Sequence, residues 1–209
     1  MFVVKINEES VEFPTTWDEM TTAQYQRVQK AINDDGSLIK CFAAVLNKPY
    51  TDIEESHAEI LDASIYQLSA FMVNEKMDFK KSNPSDTLTI NKIVIPIPKN
   101  LGRLTVAQSF QSRVELKENS FELIISKILA IYLQPLFYGT KFNMEQVERL
   151  EKIIDTIPIY KTYPICFFFV SKLHNYGASG LLSSLQIKIR QISNKGTQRK
   201  KQILKNLNR

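Results

Sequence analysis

An eleven-residue stretch occurs twice in this chain, and this repeat constrains the fold more than any other feature of the sequence. Residues 14–24 (Pro-Thr-Thr-Trp-Asp-Glu-Met-Thr-Thr-Ala-Gln) align without gaps with residues 98–108 (Pro-Lys-Asn-Leu-Gly-Arg-Leu-Thr-Val-Ala-Gln). Both stretches have a proline, an apolar residue three positions later, then Met or Leu followed by threonine, and finally Ala-Gln. Internal self-similarity of this kind indicates that one structural unit is used twice.

The sequence on either side of the motif repeats as well. Each copy follows two short strand-like segments, which predict a β-hairpin. The predicted strands are 2–6 and 11–13 around a turn at 7–10, and 87–90 and 93–97 around a turn at Asn91-Lys92. Asparagine suits a two-residue turn because it tolerates a positive φ.

Downstream of the motif, the segment from Leu38 to Pro49 has the same apolar pattern as the segment from Ile124 to Pro135. Shorter matches follow, between 60–63 and 153–156 and between Ile65-Tyr66 and Ile159-Tyr160. We therefore predict two tandem repeats, the N-terminal repeat (1–83) and the C-terminal repeat (84–176), followed by an extension (177–209).

The repeated residues are those that start and end helices. Thr21 and Thr105 are suited to cap a helix N-terminus, and the glutamines three residues later complete a capping-box pattern. The predicted first helices are 21–33 and 105–116, and the second helices are 37–46 and 120–133, ended by Pro49 and Pro135. A further amphipathic helix is predicted from about residue 143 to 155. The predicted fold is mainly α with two small β-hairpins (α+β), built from a tandem duplicated hairpin-plus-helices unit and a basic helical extension.

Positive charge is concentrated in the extension. Eight of the chain's 27 basic residues lie in residues 177–209, which contain none of its 22 acidic residues. They are Lys188, Arg190, Lys195, Arg199, Lys200, Lys201, Lys205 and Arg209. We predict that these side chains bind a partner, either an acidic protein surface or nucleic acid, although a solvated basic extension has the same composition.

The residues needed for common catalytic and metal-binding sites are sparse. The chain has two histidines, His57 in a charged segment and His174 at the end of an apolar one, and no Walker A or Cys-x-x-Cys pattern. Cys41 and Cys166 lie in apolar runs typical of buried free thiols. We therefore predict a protein that is not an enzyme and holds no metal or cofactor. The run Phe167-Phe168-Phe169 favours core packing over base stacking.

The longest apolar run, from Pro164 to Val170, is far shorter than the roughly 20 residues that span a bilayer. The N-terminus also lacks the features of a signal peptide. We therefore expect no membrane partner.

The motif resembles a known family. A short hairpin followed by Pro14, then Trp17-Asp18-Glu19-Met20-Thr21 and Gln24-Tyr25, is similar to proteins of tailed-phage morphogenesis, notably tail assembly chaperones. The resemblance covers most of residues 1–176, including the stretch from Ile128 to Pro135, but not the basic extension. It implies a non-enzymatic partner in phage assembly that holds an aggregation-prone tail protein such as the tape measure.

Two other functions remain open. One is a virion structural protein (a ring, connector or tail subunit) whose basic extension contacts a neighbouring subunit or DNA. The other is a regulatory protein that binds nucleic acid. Partners are expected among phage morphogenesis or virion proteins, including further copies of this chain. The expected location is the cytoplasm of the infected host during assembly, or the virion.

Overall fold

The computed structural model describes residues 2–6, 9–34, 37–55, 84–100 and 104–173. The chain divides into two compact units, Met1–Phe168 and Phe169–Arg209. The first contains both hairpins and the described helical residues up to Phe168. Of the second, the structure describes residues 169–173, which are helical.

The first hairpin pairs β1 (Phe2–Ile6) with β2 (Glu9–Phe13) in antiparallel orientation. The predicted turn at residues 7–10 is too long, because Glu9 pairs with Ile6 and Ser10 pairs with Lys5. Both Glu9 and Ser10 are exposed. Polar side chains on the solvent face of an antiparallel pair do not prevent strand pairing, so β2 starts two residues before the apolar alternation that predicted it.

The second hairpin pairs β3 (Thr87–Ile90) with β4 (Ile93–Pro96). Its two-residue turn is confirmed, with φ of 48° at Asn91 and 67° at Lys92. One face of the hairpin is buried, through Leu88, Ile90, Ile95 and Ile97. The other face carries Val94 and Pro96, which are exposed.

The rest of the described chain is mainly helical, so the predicted mainly α fold with two small hairpins is confirmed. The helices are α1 (Thr22–Asp34), α2 (Leu38–Leu46), α3 (Tyr50–Glu54), α4 (Val106–Glu118), α5 (Ile125–Tyr138), α6 (Met144–Ile154) and α7 (159–173), with a 3-10 turn at Phe121–Leu123. No helix within these described ranges has the length and apolar character needed to cross a membrane.

The second helix of the C-terminal repeat differs from its prediction at both ends. Its predicted start at residue 120 is a 3-10 turn instead, and α5 begins at Ile125. Pro135 was predicted to end the helix, but it lies inside α5. The helix continues to Tyr138 and ends at Gly139, whose φ of 64° is the left-handed conformation that terminates helices.

The core of the first compact unit is centred on α5, whose residues from Ile125 to Gln134 are all buried except Lys127. Helices α1, α4 and α6 pack around it, together with β4. Phe167 is partly exposed and packs against the rings of Phe121 and Tyr163, with centroids 6.2 and 6.4 Å away. Cys41 and Cys166 are buried free thiols, and burial raises the pKa of Cys166.

Candidate functional site

The eight basic residues predicted to bind a partner lie outside the described residues, as do His57 and His174. A candidate site must therefore be built from the hairpins and helices of the first compact unit. Within the described ranges, no three His, Cys, Asp or Glu side chains are grouped so that they could hold a metal ion.

The repeated Thr-x-x-Gln motif forms the same hydrogen bonds in both repeats. Gln24 N–H donates to Thr21 Oγ1 at 3.2 Å, and Thr21 N–H donates to Gln24 Oε1 at 2.9 Å. The corresponding distances at Thr105 and Gln108 are 3.2 and 3.1 Å. Each pair is a reciprocal capping box, which satisfies N–H groups that a helix start would otherwise leave unpaired. The predicted caps are confirmed.

The same glutamines also join the first helix of each repeat to the second. Gln108 Nε2 donates to the Ile131 carbonyl at 2.9 Å, and Gln24 Nε2 donates to the Val45 carbonyl at 3.2 Å. Each of these carbonyls lies four residues before a proline, at position 135 or 49. Proline has no N–H to complete the i to i−4 bond. Pro49 lies beyond the end of α2 at Leu46, so Gln24 donates to one of the carbonyls that a helix end leaves unpaired. Pro135 instead lies inside α5, so the Gln108 amide supplies the Ile131 carbonyl with the donor that this proline lacks.

This explains why Pro135 does not end α5. A proline inside a helix is costly partly because it leaves one carbonyl without a donor. Gln108 is only 4% exposed, so its amide reaches Ile131 without competition from water. At Thr105, Gln108 and Pro135 the motif is therefore a structural clamp made of a cap, a glutamine and a proline.

A polar seam joins the N-terminal repeat to the C-terminal one. The first N–H groups of α1 bond to carbonyls just after α6: Thr22 to Ile157 at 2.9 Å and Ala23 to Asp155 at 3.1 Å. Unpaired N–H groups at one helix start thus meet unpaired carbonyls at another helix end. The Thr22 hydroxyl, fully buried, also lies 2.8 Å from the hydroxyl of Thr162.

One turn further along α1, the seam continues to the start of α5. Gln26 Oε1 accepts a hydrogen bond from Ser126 N–H at 2.8 Å, and Ser126 Oγ donates to Asp155 at 2.6 Å. Beside them, Arg27 Nε donates to the Ala44 carbonyl at 2.8 Å. Burial lowers the pKa of Arg27, and the nearby Asp155 opposes that shift. The face of α1 that carries Thr22 and Gln26 is therefore covered by the other repeat.

An apolar cleft of about 310 Å³ opens between β4, the start of α4 and the end of α5. Most of its lining is apolar: Pro96, Pro98, Leu104, Tyr132, Pro135 and Leu136. Leu136 is 46% exposed at the rim, and Val94, which faces the same side of its strand as Pro96, is 61% exposed. Burial raises the pKa of Tyr132 from its ordinary value of 10 to about 12. The cleft has the size and lining to hold an apolar side chain of a partner.

Helix α4 presents a second apolar surface. Val106 is 87% exposed and Phe110 is 66% exposed, and one helical turn separates them. The positions that α4 buries are polar, Gln108 and Ser112. Buried polar and exposed apolar residues are the reverse of the usual pattern for a surface helix. These two residues were not among the predicted site residues, because their exposure depends on how α4 packs.

No protein-family model, curated protein or solved structure matches this chain.

Proposed function

We propose that this chain is a non-enzymatic assembly protein of a tailed phage that acts by binding another protein, in the manner of a tail assembly chaperone. The observation that carries the proposal is the apolar cleft between β4, α4 and α5. In this proposal the cleft holds an apolar segment of a tail protein until that protein assembles.

Two features of the cleft support this role. Its prolines lie on β4, after β4 and within α5, and a proline-rich wall is rigid because each φ is fixed. A wall that keeps its shape loses little entropy when a partner binds. Its rim carries exposed apolar side chains, which favour contact with another protein over contact with water.

A complementation experiment tests the cleft. Cells infected with a phage that carries an amber mutation in this gene are supplied with a variant from a plasmid. We expect Leu136→Lys to abolish plaque formation, because a charged side chain at the rim would have to be buried against an apolar ligand.

Ile32→Lys is the matched control. Ile32 is also the third residue from the end of its helix and is 39% exposed, against 46% for Leu136, so the two lysines perturb their helices alike. We expect Ile32→Lys to complement fully. Equal complementation by both variants would show that the cleft does not bind the partner.

Mass spectrometry of purified particles separates the proposal from its main alternative. A chaperone is expected in lysates of infected cells and absent from finished particles. Recovery of this chain from particles in a fixed ratio to tail proteins would instead identify a ring, connector or tail subunit.

A further inference from the structure

We propose that the exposed face of α4 binds a second molecule of this chain at the start of its α2, so that molecules associate head to tail. This inference goes beyond the proposed function, because it names a partner that purified protein alone supplies. It depends on the internal repeat and on which of its faces are covered.

Equivalent faces of α1 and α4 differ in what covers them. In the repeat alignment, Val106 of α4 corresponds to Thr22 of α1, and Phe110 corresponds to Gln26. Thr22 is fully buried, and Gln26 is bonded to Ser126 of the other repeat. The same two positions of α4 are exposed. The face that joins one repeat to the next is therefore occupied on α1 and open on α4.

The open face of α4 is apolar. Stacked repeats bury their faces against neighbours, and a terminal repeat that faces water normally has a polar outer surface. Here the covered face, on α1, has the polar pair Thr22 and Gln26. The exposed face, on α4, has Val106 and Phe110 instead. The outer face of α4 lacks the polar cap that a final repeat needs in water.

The start of α2 is the surface that would receive α4. Within the chain, α1 packs against the 3-10 turn at Phe121–Leu123 and against α5. Ile124, between those two elements, is 8% exposed. Its equivalent in the N-terminal repeat is Leu38, at the start of α2, and Leu38 is 49% exposed. Among the described residues, this position of the receiving surface is thus covered in one repeat and open in the other.

The two open surfaces have matching chemistry. Both Phe110 and Leu38 are exposed in the same molecule, so they do not cover each other within one chain. An interface between two different surfaces is heterologous, and such interfaces build rings or open chains of molecules. Suppose the C-terminal repeat of one molecule meets the N-terminal repeat of a second molecule in the way that the two repeats meet within one chain. Phe110 of the first molecule would then contact Leu38 of the second.

Sedimentation velocity of the full-length protein, over a wide range of protein concentration and at moderately high salt, tests the association. We expect the native chain to form dimers and larger species as its concentration rises. Phe110→Asp and Leu38→Asp should each raise the dissociation constant at least about tenfold, because each places a charge in an apolar contact. Val3→Asp, at a 55% exposed position of β1, should leave the association unchanged.

Mixing the two defective variants gives the sharpest result. The Phe110→Asp chain keeps an intact α2 surface and the Leu38→Asp chain keeps an intact α4 surface, so an equimolar mixture should form dimers that grow no further. Circular dichroism of each variant checks that it is folded. A native chain that stays monomeric, a Leu38→Asp variant that still dimerises by itself, or a mixture that does not dimerise would each overturn the proposal. None of these results bears on the cleft.

Discussion

At the residue scale, the glutamine of the repeated motif has two tasks that require an amide. Its oxygen accepts the N–H of the capping threonine, and its nitrogen donates to a carbonyl of the second helix. Glutamate completes a capping box equally well but has no donor for that carbonyl. The capping task was predictable, because the glutamine follows the threonine by three residues. The second task was not, because it depends on a carbonyl 23 residues away in sequence.

The amide of Gln108 can be tested by a single substitution. Gln108→Glu keeps the cap but leaves the Ile131 carbonyl facing a carboxylate in a buried position. We expect the free energy of unfolding to fall by about 1–3 kcal/mol, measured by urea denaturation. Gln24→Glu should lower the free energy of unfolding by less, because the hydrogen bond from Gln24 to the Val45 carbonyl is only partly buried.

A double-mutant cycle with Pro135→Ala checks the cause. Alanine restores the N–H that proline lacks, so the Ile131 carbonyl regains its helical partner. In the Pro135→Ala background, Gln108→Glu should lower the free energy of unfolding by clearly less than it does in the native chain. If the changes in the free energy of unfolding caused by the two substitutions are strictly additive, the glutamine and the proline act independently.

At the element scale, the contact between α5 and α6 contains a partly buried ion pair. Lys127 Nζ lies 3.1 Å from Glu151 Oε2, and the two side chains are 19% and 29% exposed. Burial raises the pKa of Glu151 above its ordinary value of 4.5, and the hydrogen bond from Lys127 partly offsets that shift. The folded state therefore holds the Glu151 proton more tightly than the unfolded state.

This shift predicts a pH dependence of stability. Because the folded pKa is raised, the contribution of Glu151 is greatest below about pH 4.5, the unfolded value, and is lost as pH rises through the folded pKa. We expect the free energy of unfolding of the native chain, relative to that of Glu151→Gln, to fall as pH rises across that window. Glu148→Gln, at an exposed position of the same helix, controls for the loss of one charge. If the free energies of unfolding of the native chain and of Glu151→Gln differ by the same amount at all pH values, the pKa of Glu151 is not raised.

The elements show where sequence patterns succeed and where they fail. The turn at Asn91-Lys92 and the helix starts at Thr21 and Thr105 were predictable, because each depends on residues a few positions apart. The interior position of Pro135 was not, because it is tolerated through a donor from another helix. The start of β2 at Glu9 was missed because pairing with Ile6 does not require an apolar residue.

At the scale of the whole molecule, the repeat pattern predicted the order of hairpins and helices but not how the repeats meet. The seam is formed by helix ends, Thr22 against Ile157 and Gln26 against Ser126, and no periodic pattern marks such contacts. The exposed face of α4 is recognisable only by comparison with the covered face of α1. The candidate surfaces therefore required the three-dimensional fold, whereas the basic extension was evident from composition alone.

Residues 177–209 contain eight basic residues and no acidic ones. Replacing all eight basic residues of 177–209 by glutamine reverses the formal net charge of the chain from +5 to −3 and leaves the sequence of residues 1–176 intact. We expect the urea unfolding midpoint to be unchanged, because residues 1–176, which contain the described fold, keep their sequence. We also expect complementation of the amber-mutant phage to fail, because an acidic partner surface or nucleic acid loses its attraction to the extension. A matched variant with eight polar residues of the same segment replaced by alanine keeps the charge and should complement. If the neutralised chain complements as well as the native one, the basic residues bind no essential partner.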